Sequence, residues 1–159
     1  MKNIFFYQTI IGKIAITDNG HAITDLYFNN DAIIQNAKIN ETPLIKAASA
    51  QIFDYLAGKR KSFTLPLAVE GTEFQQSVWN ALKMIPYGET RSYKEIAVKI
   101  GNPKACRAVG MANNKNPISI IIPCHRVIGA NGNLIGYGGG LEIKAQLLEL
   151  EKQYSDTLI

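Results

Sequence analysis

The sequence predicts an α/β protein, and three observations carry that expectation. Residues Lys2 to Phe28 are dense in β-branched and aromatic side chains, interrupted by turn signals at Ile11-Gly12-Lys13 and Asp18-Asn19-Gly20. Helix-start signals follow at Thr42-Pro43, at Thr72 with Gln75 and at Ser92 with Glu95. Of the 159 residues, 47% are hydrophobic and only 19% charged, so a packed core is expected and disorder is not.

The first run reads as a three-stranded antiparallel meander. Thr42 then caps a helix that has Pro43 at its first position. Its Leu44, Ala48, Ile52, Tyr55 and Leu56 share one face, and Gly58 stops it. The basic run Gly58-Lys59-Arg60-Lys61 and the segment Ser62 to Gly71 form a connection, with a short strand expected in it and a domain boundary near Glu70. The Thr72/Gln75 capping box opens a helix through Phe74, Val78, Trp79 and Leu82, ended by Pro86-Tyr87-Gly88, and Ser92/Glu95 opens a second that reaches Gly101.

Asn102 and Pro103 read as the cap and first position of a third helix running to about Asn113, and the pair has helix-turn-helix spacing. This helix sets Lys104 and Arg107 beside the small residues Ala105, Ala108, Gly110 and Ala112. Such a face suits close approach to a nucleic-acid groove, and it suits a close-packed core helix equally well. Ile118 to Ile122 reads as a buried strand or extended segment feeding Cys124 inward. Gly136 to Gly140 is a loop poor in side chains, and Leu141 to Tyr154 is a closing helix with Ile143, Leu147, Leu148 and Leu150 buried.

The net charge of +4 favours an anionic partner without naming one. No stretch approaches a membrane span, and the start lacks a signal-peptide core, so a cytoplasmic protein is expected. Cys106 and Cys124 should both be thiols there. The histidines are His21 and His125, and the cysteines lack CxxC spacing, so no metal is expected.

The chemistry concentrates at Pro123-Cys124-His125-Arg126-Val127. A cysteine becomes a nucleophile when a base or cation favours its thiolate, and His125 can serve as that base directly or through a water. An arbitrary Cys-His pair is more often a small buried residue beside a satisfied core histidine. Neighbouring side chains on an extended strand also point apart, so partnership requires a turn here or a bridging water.

The segments SYKEIAVKIGNPKACRAVGMANNKNP and IIPCHRVIGANGNLIGYGGG closely resemble the O6-alkylguanine-DNA alkyltransferase family. The likeness runs from about Thr72 to Tyr154, and PCHRV after an isoleucine-rich segment is its most specific part. The resemblance implies that Cys124 accepts the alkyl group, that His125 takes its proton through water and that Glu151 orients that histidine. Asn116 matches an asparagine fixing the turn before the active strand. Tyr93 matches a tyrosine donating to the departing guanine, and Arg107 an arginine entering the duplex where the base has left. Ser92, Lys104 and Ala108 are implied in DNA contact. Tyr137, Gly138, Ser119 and Val127 are implied around the alkyl group. Ser119 stands where some members carry proline, and Cys106 where alanine is usual.

The resemblance also implies a ribonuclease H-like supporting domain over residues 1–70 and a winged helix-turn-helix domain over 71–159. The expected partner is double-stranded DNA carrying O6-alkylguanine, and O4-alkylthymine as a second lesion, bound in the minor groove with the nucleotide flipped out. No cofactor and no membrane are implied, a monomer is expected, and in a prokaryote the protein would accompany the nucleoid. Two other functions fit parts of the pattern. A non-repairing alkyl-DNA sensor would share the helix-turn-helix but lack the acceptor cysteine. A Cys-His hydrolase would use Glu151 as orienting group and regenerate its thiol.

Overall fold

In the computed structural model, which describes residues 1–28, 36–137 and 139–156, the first run forms β1 (Lys2–Thr9), β2 (Gly12–Asp18) and β3 (Ile23–Phe28). β1 pairs antiparallel with β2, Phe6 opposite Ala15, and β2 pairs antiparallel with β3, Ile16 opposite Leu26. The second turn is held by Asn19, whose side-chain oxygen accepts from the backbone N–H of His21 and Ala22, both at 2.9 Å. The meander is not the whole sheet. A fourth strand, β4 (Ala37–Ile39), pairs parallel to β1, making a mixed sheet in the order β3-β2-β1-β4.

α1 (Pro43–Leu56) packs across β1, β2 and β3. The Thr42 hydroxyl accepts from Ile45 N at 3.1 Å, a cap contributing about 1 kcal/mol. Ile45, Ala48, Ile52, Tyr55 and Leu56 are buried, while Leu44 is half-buried. Each fully buried large apolar side chain contributes about 1.5–3 kcal/mol. Gly58, at φ +76°, ends the helix where a Cβ would lie 2.6 Å from the Tyr154 ring, so both conformation and space demand glycine there. The strand expected in the connection reduces to one bridge between Leu67 and Ile23.

α2 (Glu73–Lys83) and α3 (Tyr93–Lys99) begin at the two expected capping boxes, both fully formed. The Trp79 indole donates to Ala112 O at 2.9 Å, tying α2 to α4 (Cys106–Asn114). α4 starts later than expected. Asn102 does not cap it: Ala105 N–H closes a turn onto Asn102 O at 3.0 Å, and Ala105 stands at the N-cap position without a side-chain bond. Lys104 therefore lies in the turn between the helices. On α4, Val109 and Ala112 face inward and Arg107 and Ala108 face solvent, so the helix has both a core face and an open one.

Ile118 to Ile122 is neither strand nor extended chain. Apart from a bridge between Ile118 and Leu26 it is a succession of tight turns, with Ile120 at φ +71°, uncommon for a β-branched residue. The chain continues through a 3₁₀ turn (Cys124–Arg126) into β6 (Val127–Ile128), which pairs parallel with β5 (Arg91–Ser92). α5 (Leu141–Tyr154) closes the described chain. Its inner face departs from expectation: Leu147 is buried, Ile143, Leu148 and Leu150 are half-buried, and Lys144 and Glu151 occupy the innermost positions.

A single hydrophobic cluster joins the sheet and α1 to the later helices, with Ile16, Leu26 and Ile52 in the same core as Val109, Ile118, Cys124 and Leu147. β3 docks directly on the segment leading to the thiol, Leu26 N donating to Pro117 O at 2.9 Å.

Candidate active site

Cys124 opens the 3₁₀ turn and is 4% exposed. The turn replaces the alternation of an extended chain, setting consecutive side chains about 120° apart around its axis. Asn116 clamps the preceding turns: its side chain donates to Ile122 O at 2.7 Å and accepts from Ile118 N at 3.0 Å. Asn113, buried on α4, donates to Cys124 O at 3.3 Å. Cys124 lines a cavity of about 330 Å³ together with Asn116 and Ser119, walled on one side by Leu26, Tyr27 and Phe28 of β3.

Behind the thiol lies a buried charge cluster centred on Glu151. Its carboxylate accepts from His125 Nε2 at 2.6 Å, from the Tyr55 hydroxyl at 2.5 Å, from Arg126 Nε and Nη2 at 2.8 and 2.9 Å and from Gly88 N–H at 3.1 Å. Burial alone would raise its pKa, but His125 and Arg126 outweigh that and hold it well below the usual carboxylate range. The Arg126 guanidinium also donates to Ile85 O at 2.7 Å.

His125 is fully buried, and burial keeps its pKa below the ordinary value despite Glu151. The imidazole is therefore neutral at pH 7. With Nε2–H directed at Glu151, the lone pair sits on Nδ1, which has no hydrogen-bond partner among the described residues. Burial pushes the Cys124 thiol up to about 11, opposed in part by Asn116 and by the Lys144 ammonium. Lys144 is 0% exposed and its Nζ donates to Val127 O at 2.6 Å, Ile135 O at 2.9 Å and Gly136 O at 3.3 Å. The resting thiol is thus protonated, with a neutral imidazole next to it in sequence and a buried cation acting on it electrostatically.

The other expected site residues are distributed as follows. Tyr93, half-buried at the start of α3, donates to Ile135 O at 2.9 Å, and its pKa is raised by burial and by proximity to Cys124. Tyr137 is raised well above the ordinary value by burial first and by Cys124 second. Ser119 is buried in the cavity wall. Val127 is not in that wall: its side chain belongs to the hydrophobic core, and its carbonyl serves Lys144. Ser92 caps α3, while Arg107, Ala108 and Lys104 are exposed on and just before α4. Gly138 lies outside the described residues. Cys106 is a free, partly buried thiol on α4. No group of three or more metal-ligating side chains occurs among the described residues, and no described helix is long and apolar enough to cross a membrane.

Sequence reasoning missed Tyr55, Arg126, Lys144, Asn113 and the β3 wall. One signal was available for Lys144, which stands two turns before Glu151 on the same face of α5.

The family model described as 6-O-methylguanine DNA methyltransferase, ribonuclease-like domain, matches residues 5–69, and the model described as 6-O-methylguanine DNA methyltransferase, DNA binding domain, matches residues 73–153. A methylated-DNA–protein-cysteine methyltransferase of Methanosarcina acetivorans is 63% identical over 148 residues, covering 91% of this chain and 95% of that protein. A constitutive one of Bacillus subtilis is 47% identical over 152 residues, covering 91% and 92%. Among solved structures, Mycobacterium tuberculosis OGT in complex with DNA superposes with a TM-score of 0.91 at 46% identity, covering 96% of this chain and 94% of that one. The chain belongs to the 6-O-methylguanine DNA methyltransferase family.

Proposed function

We propose that the protein repairs DNA by moving an alkyl group from the O6 atom of guanine, and also from O4 of thymine, onto Cys124, once per molecule. The observation that carries this reading is a buried, cavity-lining thiol next in sequence to a neutral imidazole whose Nε2 is committed to Glu151 and whose Nδ1 has no partner among the described residues. His125 Nδ1 takes the Cys124 proton through a water as sulfur attacks the alkyl carbon. The carbon–O6 bond breaks and its electron pair passes to guanine, where the Tyr93 hydroxyl, released from Ile135 O, stabilises it by donating a hydrogen bond. Glu151 holds the imidazole and stabilises the imidazolium. The Lys144 ammonium favours the developing thiolate.

The reacting atom lies inside the base stack of a duplex, so the nucleotide is flipped into the cavity at a cost of a few kcal/mol. α4 faces the minor groove with Arg107 filling the gap. Its uncapped N-terminus, with Lys104 in the turn just before it, contacts phosphate, and Ser92 at the start of α3 makes a further contact. In this division of labour residues 1–70 support and 71–159 react, and the protein acts as a cytoplasmic monomer without metal or cofactor. The product is a thioether, whose saturated carbon offers water no electrophilic carbonyl, so the thiol is not regenerated. Mixing the protein with excess O6-methylguanine duplex should give a product plateau that scales with protein added and is unchanged by EDTA. Repeated turnover per molecule would overturn the reading.

A further inference from the structure

Phe28 is the last residue of β3, a strand from the half of the chain that carries none of the groups just assigned to the reaction. Phe28 lines the cavity that contains Cys124 and Ser119, and its ring meets the Tyr137 ring at 5.7 Å between centroids, tilted by 54°. Gly139 lies against the same ring: a Cβ there would be 2.9 Å from it, so a larger residue at that position would push the two apart. The ring cannot easily retreat. Two residues earlier, Leu26 is hydrogen-bonded to Pro117 and bridged to Ile118, which ties this end of β3 to the segment holding Asn116 and Ser119.

We infer that Phe28 determines the size of the alkyl group that reaches Cys124, so that the N-terminal half supplies a specificity wall as well as support. This rests on Cys124 being the alkyl acceptor. A methyl group needs little of the space beside Phe28, whereas a benzyl group must share it with an aromatic ring pinned by strand and loop. Close-packed walls discriminate by single methylene-sized differences, so removing a ring from this wall acts on large substituents first.

The test compares single-turnover rates for O6-methylguanine and O6-benzylguanine placed in the same duplex, using the full chain and its Phe28→Ala, Phe28→Leu and Phe28→Trp variants. Phe28→Ala should raise the benzyl-to-methyl rate ratio about tenfold over the unaltered protein. Phe28→Leu should raise it less, and Phe28→Trp should lower it. A ratio that stays within about twofold in all variants, with both rates falling together, would mean that Phe28 is only structural and would overturn the inference. Phe28→Leu keeps an apolar side chain of moderate size, so the ratio stays measurable if the alanine variant fails to fold. An unaltered protein that transfers neither group would instead overturn the assignment of Cys124.

Discussion

Two buried carboxylates organise the two halves of this molecule, and only one of them is placed to do chemistry. Asp25, on β3, accepts from Lys2 Nζ at 2.8 Å, Thr17 Oγ1 at 2.6 Å and Tyr27 Oη at 2.5 Å. Glu151, on α5, is bonded as densely, with an arginine, a tyrosine, a histidine and a backbone amide. Burial pushes both carboxyls upward in pKa, and in both the hydrogen-bonding partners overcome it, leaving each below its ordinary value. The difference lies one shell out. The Asp25 partners are a lysine, a tyrosine and a threonine whose hydroxyl also meets Thr24 at 2.6 Å, whereas one Glu151 partner is an imidazole whose second nitrogen has no partner among the described residues, next in sequence to a thiol. A satisfied buried carboxylate is therefore a structural device until a titratable group passes its influence on.

The sharpest way to break this comparison is to remove the group that receives the influence. Cys124→Ser should abolish alkyl transfer while leaving duplex binding nearly intact, because a hydroxyl is similar in size and a far weaker nucleophile. A filter-binding measurement beside the transfer assay checks both halves of that expectation.

Next come the carboxylates themselves. Glu151→Gln leaves the Arg126 charge buried without its counter-ion and should lower stability by about 3–5 kcal/mol, with transfer slowed in whatever fraction remains folded. Asp25→Asn should destabilise by about 1–3 kcal/mol and leave the transfer rate of the folded protein unchanged. Denaturant melts together with single-turnover rates separate the two. Equal loss of rate in both variants would erase the distinction between the halves.

Arg107→Ala should follow, slowing transfer from duplex DNA more than transfer from free O6-benzylguanine, since only the duplex reaction holds a base out of the stack. Comparable losses on the two substrates would remove Arg107 from the flipping step.

The smallest effect expected is the pH dependence of stability. The folded pKa of His125 is depressed, so as pH falls through its ordinary value of 6.5 the unfolded chain takes up a proton first. Stability should be fully present above that value and decline below it. Glu151 adds a further loss as pH falls below its ordinary value of 4.5. On the alkaline side the folded thiol sits at about 11 against an ordinary 9.0, which lowers stability as pH rises between those values, while burial holds Lys144 at about 8 against an ordinary 10.5, which raises stability over an overlapping range, so the two contributions oppose each other and the alkaline slope should be shallow. Thermal melts across this range check the slopes, and His125→Asn should remove the first of them.

The elements that hydrophobic period and caps define were legible: the meander, α1, and the starts of α2 and α3. The thiol, its histidine and Glu151 came through a specific motif and its resemblance. What stayed hidden has a common physical cause. Hydrophobic periodicity assigns charges outward, so α5 was read through its leucines while Lys144 and Glu151 took the interior, each satisfied by partners far away in sequence. Tyr55 was read as core, which it is, but its hydroxyl reaches from α1 to Glu151 in the last helix. The run Ile118 to Ile122 looks like a strand by composition, yet the Asn116 clamp and the φ of Ile120 fold it into turns. Asn102-Pro103 has cap chemistry, but the chain spends it on a turn and α4 begins at Cys106. β4 is three residues long and carries no alternation to read.

The central claim is that sulfur of Cys124 becomes the permanent resting place of the alkyl group. Peptide mapping by mass spectrometry, after one round of reaction with an O6-methylguanine duplex, tests this most directly. The account predicts that the peptide containing Cys124 gains the mass of one methylene group in proportion to lesion repaired, with the Cys106 peptide unchanged. Repair without that gain, or the gain appearing on any other peptide, would contradict it.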